Sequence, residues 1–319
     1  MSGVGESGVD RPPGGDLLAR VETGGLIDPP RPLVAMLSGG RDSVCMLDLA
    51  VRARGAEAVL ALHVDYGLRP ESHDDADFCV SLCGRLGVEL RTERPVRPEI
   101  GGNLQAWARD ARYAAAARLA EGRDATIVTG HTADDQVETI LYRLASSPSR
   151  RALLGMKPRD GRLARPLLGT AREETTAYCE ERGLAWRDDA SNEEADYKRN
   201  LLRRDLVPAL EAIHPAAKAN VLRTAGVLRE EAELLDSLVD AELAGGKGTI
   251  GLERFAALHP ALRRLVLQRL ADEAAGRPVP GAARFAEQVA GLTRGGSVLD
   301  LGGGVRAVLA GGVLRAELS

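Results

Sequence analysis

The sequence predicts an α/β domain built on a parallel sheet with helices on both faces, followed by a long linker helix and a small α+β domain. Three observations lead there. Short apolar runs at 33–37, 58–64 and 125–129 are each followed by a polar or glycine-rich loop and a helix-like segment, the alternation expected of parallel strands with helical crossovers. Residues 216–244 are rich in Ala, Leu and Glu without a break and read as one long helix. Beyond them, runs at 297–301, 305–309 and 313–317 are punctuated by glycine, as short strands are.

In order along the chain, residues 1–14 are Gly/Pro/Ser-rich and read as a flexible tail. The first domain is expected over 15–215, the linker helix over 216–244 and the second domain over 245–319. Leu33–Leu37 is the first strand; Ser38–Ser43 is a loop; Val44, Leu47, Leu49 and Val51 mark a helix. Ala58–Val64 is a second strand, ending in Asp65-Tyr66-Gly67-Leu68-Arg69-Pro70. A helix over about 71–87, a short strand near 88–92 and a long helix over 104–121 follow. Ala125–Thr129 then runs into Gly130-His131-Thr132-Ala133-Asp134-Asp135-Gln136-Val137-Glu138-Thr139. Ala164–Leu168 reads as a strand, 173–183 as a helix and 186–192 as a polar loop. Helix-like segments near 253–275 and 281–293 precede the last three strands. No internal repeat is evident.

Aromatic residues are only 3% of the 319, so the core must be aliphatic. Cys45, Cys79, Cys83 and Cys179 form no CxxC and no zinc-spaced pair with histidine. Cys79 and Cys83, four apart on a helix, read as core residues. With no disulfide framework and no apolar run near 18 residues, a cytoplasmic protein without membrane contact is expected. The net charge of −4 argues against a purely electrostatic nucleic-acid binder. Its distribution is uneven: 143–172 holds eight basic residues against Asp160 alone, and Lys198, Arg199, Arg203 and Arg204 follow. Such runs are either solvated faces or surfaces for phosphate. From 230 to 319 ten basic residues face twelve acidic ones with no catalytic constellation, which suits a recognition module.

A small-residue loop between a strand and a helix aims backbone N–H groups and a helix N-terminus at its contents, an arrangement suited to phosphate. Ser38-Gly39-Gly40-Arg41-Asp42-Ser43 has this character but lacks the Gly-Lys-Ser/Thr of a Walker loop. In parallel sheets ligands lie beyond the carboxyl ends of strands, so 38–43, 63–69 and 130–139 can share one site. Asp134, Asp135 and Glu138 crowd one helix end. They are either caps and dipole partners, or groups that hold a cation beside the phosphates. His131 could bond a phosphate or move a proton. Arg109 and Arg112 share a helix face and suit developing phosphoryl charge.

The 38–43 loop resembles the pyrophosphate-binding loop of the N-type ATP pyrophosphatases. LSGGRDS, HVDYGLR, ARDARY, TGHTADDQVET, RPLL at 165–168, DDASN and YKRNLLR occur in the order and approximate spacing seen in tRNA(Ile)-lysidine synthetase. The resemblance covers 33 to about 215 and implies an adenine-nucleotide α-hydrolase-like fold. It implies that ATP adenylates O2 of the wobble cytidine in a CAU-anticodon tRNA(Ile), and that the L-lysine ε-amine then displaces AMP from C2. Ser38, Gly39, Gly40, Arg41, Asp42 and Ser43 would hold pyrophosphate, with His63 and Arg109 also at ATP and Asp42 placed for Mg²⁺ or a phosphate-linked water. Arg112 would meet the α-phosphate. His131 and Asp134 join the catalytic set, and Asp135 and Glu138 would hold the lysine ammonium and take its proton. Arg150, Arg151, Arg199, Asn200 and Arg203 would face tRNA. Homodimerisation is left open.

Three places depart from the family pattern. Tyr66 stands where the family usually has His, and Ser146-Ser147 and Ala152 stand where it commonly has Arg-Gly and Gly. The rival readings are tRNA cytidine 2-thiolation, which the cysteine spacing disfavours, an ammonia-using amidotransferase, which would need a glutaminase domain, and a non-catalytic nucleotide or tRNA-binding module.

Overall fold

The computed structural model describes residues 15–27, 30–67, 72–96, 104–147, 150–187, 197–244, 248–292 and 296–319. The tail expected at 1–14, the segment 68–70 and the DDASN loop lie outside them, as do the side chains of Arg150 and Arg199. The chain divides into two compact units at Ala225/Gly226, inside the helix Ala217–Leu243.

The first unit carries a six-stranded sheet. Its elements are α1 (Gly15–Thr23), β1 (Leu33–Met36), α2 (Arg41–Arg54), β2 (Val59–Val64), α3 (Ser72–Leu86), β3 (Glu89–Glu93), α4 (Leu104–Arg123), β4 (Thr126–Val128), α5 (Ala133–Ser146), β5 (Arg159–Asp160), β6 (Leu163–Ala164) and α6 (Arg172–Glu181). The strand order is β3-β2-β1-β4-β6-β5, parallel except for β5.

Both faces of β1 and β2 are covered, which is why they are continuous apolar runs rather than alternating ones. Leu33, Ala35, Val59 and Ala61 join the core formed with α1, α2, α3 and α6. Val34, Met36, Leu60, Leu62 and Val64 pack with Ala115, Ala116 and Ala120 of α4. Cys45, Cys79, Cys83 and Cys179 are all free and buried. Residues 197–213 form a helix interrupted by a π-helical stretch at Leu202–Leu206. Leu202, Val207, Leu210, Val221 and Leu222 cover Val137 and Leu141 of α5. Among the described residues no helix is long and apolar enough to cross a membrane.

The structure corrects several element boundaries. The strand expected over 164–168 ends at Ala164, because Pro166 has no N–H to give a ladder. Arg165–Leu168 turns instead, with Leu168 N–H donating to Arg165 O at 3.2 Å. The helix expected over 253–275 is two, Leu252–Ala257 and Pro260–Ala275, divided where His259 caps Ala261 and Pro260 opens the second. The segment expected over 281–293 is a 3₁₀ turn, Ala282–Phe285, followed by a short helix, Ala286–Ala290. Helix α1 and the strands β5 and β7 (Thr249–Gly251) are additions to the expected set.

The second unit is an antiparallel sheet in the order β7-β10-β9-β8, with β8 at Ser297–Gly302, β9 at Val305–Ala310 and β10 at Val313–Leu318. Leu301, Val305, Ala307 and Leu314 pack with Phe255, Val266, Leu267 and Leu270.

In the first unit the strand order reverses between β1 and β4, the position where parallel sheets open a crevice for ligands. Here the turn after β4 lies against the start of α2. A Cβ on Gly130 would lie 2.6 Å from the Asp42 carbonyl carbon and 2.9 Å from the Ser43 nitrogen. These are backbone atoms at the start of α2, so nothing flexible can give way. Gly130→Ala is therefore expected to destabilise the unit by about 1–3 kcal/mol, the usual cost of overpacking. Urea melts would measure it, and an unchanged midpoint would contradict the contact.

Candidate active site

The loop 38–43 owes its shape to hydrogen bonds among its own small residues. Gly39 takes φ +88°, which disfavours a side chain. The Ser43 hydroxyl donates to Gly40 O at 2.7 Å, and Ser38 N–H donates to the Ser43 Oγ at 3.2 Å. Gly40 precedes α2 without a side-chain cap, so the helix opens toward the loop with no side-chain acceptor from its N-cap. Arg187 N–H donates to Gly39 O at 3.0 Å and ties the segment after α6 to the same loop. Such a cradle offers backbone donors and a helix dipole to an anion.

Asp42 faces cations as well as the loop. Its Oδ1 accepts from Thr175 Oγ1 at 2.6 Å and Arg41 Nε at 3.1 Å, and Arg172 Nε lies 3.8 Å from its Oδ2. Across the Gly130 contact, α5 opens with a capping box. Thr132 and Asp135 exchange bonds, Thr132 N–H donating to Asp135 Oδ2 at 2.8 Å. The other Asp135 oxygen lies 3.8 Å from Arg172 and 4.0 Å from Arg203. Glu138, 5% exposed, holds Arg203 in a two-point fork at 2.8 and 3.1 Å. Burial opposes the Arg203 charge, but Glu138, Asp135 and Asp42 outweigh it and strengthen its hold on the proton. Asp42, Asp135 and Glu138 thus meet around Arg172 and Arg203.

Asp134 is employed differently. One oxygen accepts the Arg172 backbone N–H at 2.8 Å and the other the Lys218 ammonium at 3.1 Å. Burial works against its charge; the Arg172 amide and Lys218 prevail and lower its pKa. The sequence grouped Asp134 with Asp135 and Glu138, whereas in the structure it braces the start of α6 and Lys218.

His131 sits in the β4–α5 turn with Nδ1 2.7 Å from the Thr129 hydroxyl. Burial, opposed by Asp135 and reinforced by Arg165, Arg112 and Arg109, brings its pKa down to about 4. The ring is therefore neutral at pH 7. Arg109 and Arg112 stack near the Tyr113 ring at 5.2 and 5.6 Å, and the Arg112 Nε and Tyr113 hydroxyl are buried without a hydrogen-bond partner. Tyr66 packs edge-on against Trp107 and donates to Ala108 O at 3.0 Å, so it anchors the first turn of α4. His63 is buried on β2, with Nδ1 3.1 Å from Leu37 O and 3.5 Å from Cys79 Sγ, beneath the loop.

Of the residues assigned from sequence, the structure brings together Ser38–Ser43, Asp42, Asp135, Glu138 and Arg203, with Arg109 and Arg112 beside His131. Arg203, expected to face tRNA, is paired with Glu138 in the chain by itself. Arg151 is exposed and Asn200 half-buried. Arg172, Thr175 and Lys218 were missed as site residues. Arg172 carried only the signal of a basic stretch; Thr175 and Lys218 carried none.

A PP-loop domain model matches residues 20–210. A tRNA(Ile)-lysidine synthase of Mycolicibacterium paratuberculosis is 38% identical over 235 residues, which span 73% of this chain and 72% of that protein. The chain belongs to the tRNA(Ile)-lysidine synthase family. A Thermus thermophilus member is 41% identical over 259 residues, 78% of this chain and 50% of that protein. The chain spans about half the length of the Thermus and Pseudomonas family members it matches. The solved U34-tRNA thiolase NcsA of Methanococcus maripaludis, with its [4Fe-4S] cluster, shares the fold at TM-score 0.58 and 18% identity, covering 67% of this chain and 78% of that one.

Two expected outcomes follow from this geometry. His131 titrates near 4 in the folded chain against 6.5 unfolded, so the unfolded state takes the proton first as pH falls. Stability contributed at neutral pH is then lost between 6.5 and about 4. Urea melts of His131→Gln should show a shallower loss across that window, and an identical slope would contradict the assignment. For the Arg203–Glu138 fork, a double-mutant cycle with Arg203→Ala and Glu138→Gln should give a coupling of about 1–3 kcal/mol. Simple additivity would show that the pair is not formed in solution.

Proposed function

We propose that the chain joins L-lysine to C2 of the wobble cytidine of a tRNA(Ile) bearing the CAU anticodon, using ATP and releasing AMP and pyrophosphate. The observation that carries this is the meeting of a phosphate cradle with a carboxylate cluster that already holds cations. The cytidine O2 attacks the α-phosphorus of ATP, and pyrophosphate leaves into the Ser38–Ser43 loop. The lysine Nε then attacks C2, its proton passes to a carboxylate, the C2–O2 bond breaks and AMP departs. Family membership supports the reaction and the substrates.

Glu138 and Asp135 suit the amine. They bind a guanidinium, Arg203, in the chain by itself, and an ammonium would take up the same charge complement. Only the neutral amine is a nucleophile, so Glu138 also serves as the proton acceptor. Arg112, with its Nε unpartnered, would meet the α-phosphate, where guanidinium groups stabilise charge developing in transfer. Neutral His131 can accept or pass a proton beside it. Mg²⁺ is commonly held by one or two carboxylates together with phosphates, which Asp42 at the cradle fits. Bound there with ATP, it would neutralise phosphate charge.

Thiolation of the same nucleotide class is a poorer reading. The thiols of Cys79 and Cys83 are pushed up to about 12 and about 11 by burial, and Cys45 is raised further by Cys179 and by burial. Groups so reluctant to ionise are weak cluster ligands or sulfur carriers. A cytoplasmic location, where tRNA and ATP are found, goes with the reading.

Radiolabelled lysine with a CAU-anticodon tRNA(Ile) transcript, with and without ATP, tests it. Incorporation should require ATP and release one pyrophosphate per lysine; ATP-independent incorporation, or none, overturns it. Asp42→Ala should abolish tRNA-dependent pyrophosphate release while leaving the fold intact. Glu138→Gln should raise the KM for lysine by about tenfold or more, with a smaller effect on ATP. Equal effects on both would assign Glu138 to the nucleotide.

A further inference from the structure

The acids of the site are matched by Arg172, Arg203 and Lys218. Four further guanidinium groups of the same unit are not. Among the described residues, Arg109, Arg112, Arg143 and Arg165 have no carboxylate within ion-pairing distance, while two of them, Arg112 and Arg165, each bury an unpartnered Nε. Arg165 is only 6% exposed.

Two of the four are held as neighbours. Arg143 donates to Gly155 O at 2.7 Å and Arg165 to Lys157 O at 2.6 Å, carbonyls two residues apart on one segment. Two residues of extended chain span about 7 Å, close enough for one anion to bridge both groups. The segment is pinned. The Gln136 amide donates to Met156 O at 2.9 Å and accepts from Met156 N–H at 2.7 Å. Gly155 takes φ +64°, and a Cβ there would lie 2.6 Å from the Gln136 oxygen. Burial, with Arg109 and Arg165 adding like charge, weakens the Arg143 hold on its proton. Like charges fixed on a rigid, partly buried support are unfavourable until an anion joins them.

We propose that Arg143 and Arg165 form a second anion seat, separate from the Ser38–Ser43 cradle, that takes one phosphodiester of the substrate RNA strand. This rests on the tRNA reading above. Guanidinium forks match phosphate oxygens in pairs, and the cradle already serves the pyrophosphate. The segment bearing the seat leads into β5 and β6, and β6 lies two strands from β1 in the sheet order. At strand spacing β6 and β1 are about 10 Å apart, so the segment belongs to a different part of the sheet from the cradle. The seat also follows the 3₁₀ turn Arg150–Leu154, which carries exposed Arg151.

The test uses the full chain and an anticodon stem-loop RNA containing CAU. Arg143→Gln and Arg165→Gln should each raise the RNA Kd about tenfold and lower the slope of log Kd against log salt by about 0.7–0.9, one phosphate contact. The KM values for ATP and lysine should move less than twofold. A single uncharged methylphosphonate linkage walked through the loop should find one position where wild type loses about tenfold and Arg143→Gln loses nothing further. This arm decides the matter even if Arg165→Gln fails to fold. A rise in the ATP KM with unchanged RNA affinity would give the seat to the nucleotide, and a rise in the lysine KM would give it to the amino-acid carboxylate; either overturns the proposal. So does an unchanged salt slope with no sensitive linkage. A wild-type chain that binds no RNA overturns the functional reading itself, a different result.

Discussion

The site depends on one close approach, that of Gly130 against the backbone of Asp42 and Ser43. Neighbouring parallel strands β1 and β4 bring their carboxyl ends side by side, but only a residue without Cβ lets the second turn close on the first helix. That approach sets Asp42, at the start of α2, beside Asp135 and Glu138, at the start of α5. A phosphate cradle and an acidic helix end, which would repel each other's ligands if left bare, are thereby forced to share space. Arg172 and Arg203 resolve the conflict in the chain by itself.

Charge in the first unit is therefore divided. On one side acids and cations are balanced: Asp134 with Lys218, Asp42 with Arg41 and Arg172, Glu138 with Arg203, and Asp135 between Arg172 and Arg203. On the other, Arg109, Arg112 and Arg165 add positive charge around a histidine kept neutral by burial, and Arg143 adds its charge to Arg109 and Arg165. The balanced side can exchange one cation for another at little electrostatic cost, which suits an incoming amine. The unbalanced side gains from any anion that arrives. The proposed reaction would bring together an amine and a polyanion, and both kinds of surface would serve it.

Much of this was legible in the sequence because β1, β2 and β4 are buried on both faces and announce themselves as continuous apolar runs. The loops that follow them hold the chemistry, so finding the strands found Ser38–Ser43 and Asp134–Glu138. Elements with weaker signals were harder. Helix α1 buries only Leu17 and Val21 fully, with Leu18 half-buried beside them, and β5 and β6 are two residues each. Pairings remote in sequence were not legible at all. Arg203 and Glu138 are 65 residues apart, and nothing in YKRNLLR distinguishes an arginine that faces RNA from one that locks a carboxylate. The role of Gly130 was hidden too, since a glycine after a strand is ordinarily read as a turn rather than as a contact. Asp134 is the converse case: three acids at one helix end look alike in sequence, and the position of Arg172 and Lys218 distinguishes it from the other two.

The most direct measurement is a crystal structure of the chain with a non-hydrolysable ATP analogue. The account predicts the β- and γ-phosphates on the backbone of Ser38–Ser43 and the α-phosphorus beside Arg112 at the Gly130 turn, with Arg143 and Arg165 left free of the nucleotide. Phosphates bound instead by Arg143 and Arg165, with the Ser38–Ser43 loop empty, would contradict it.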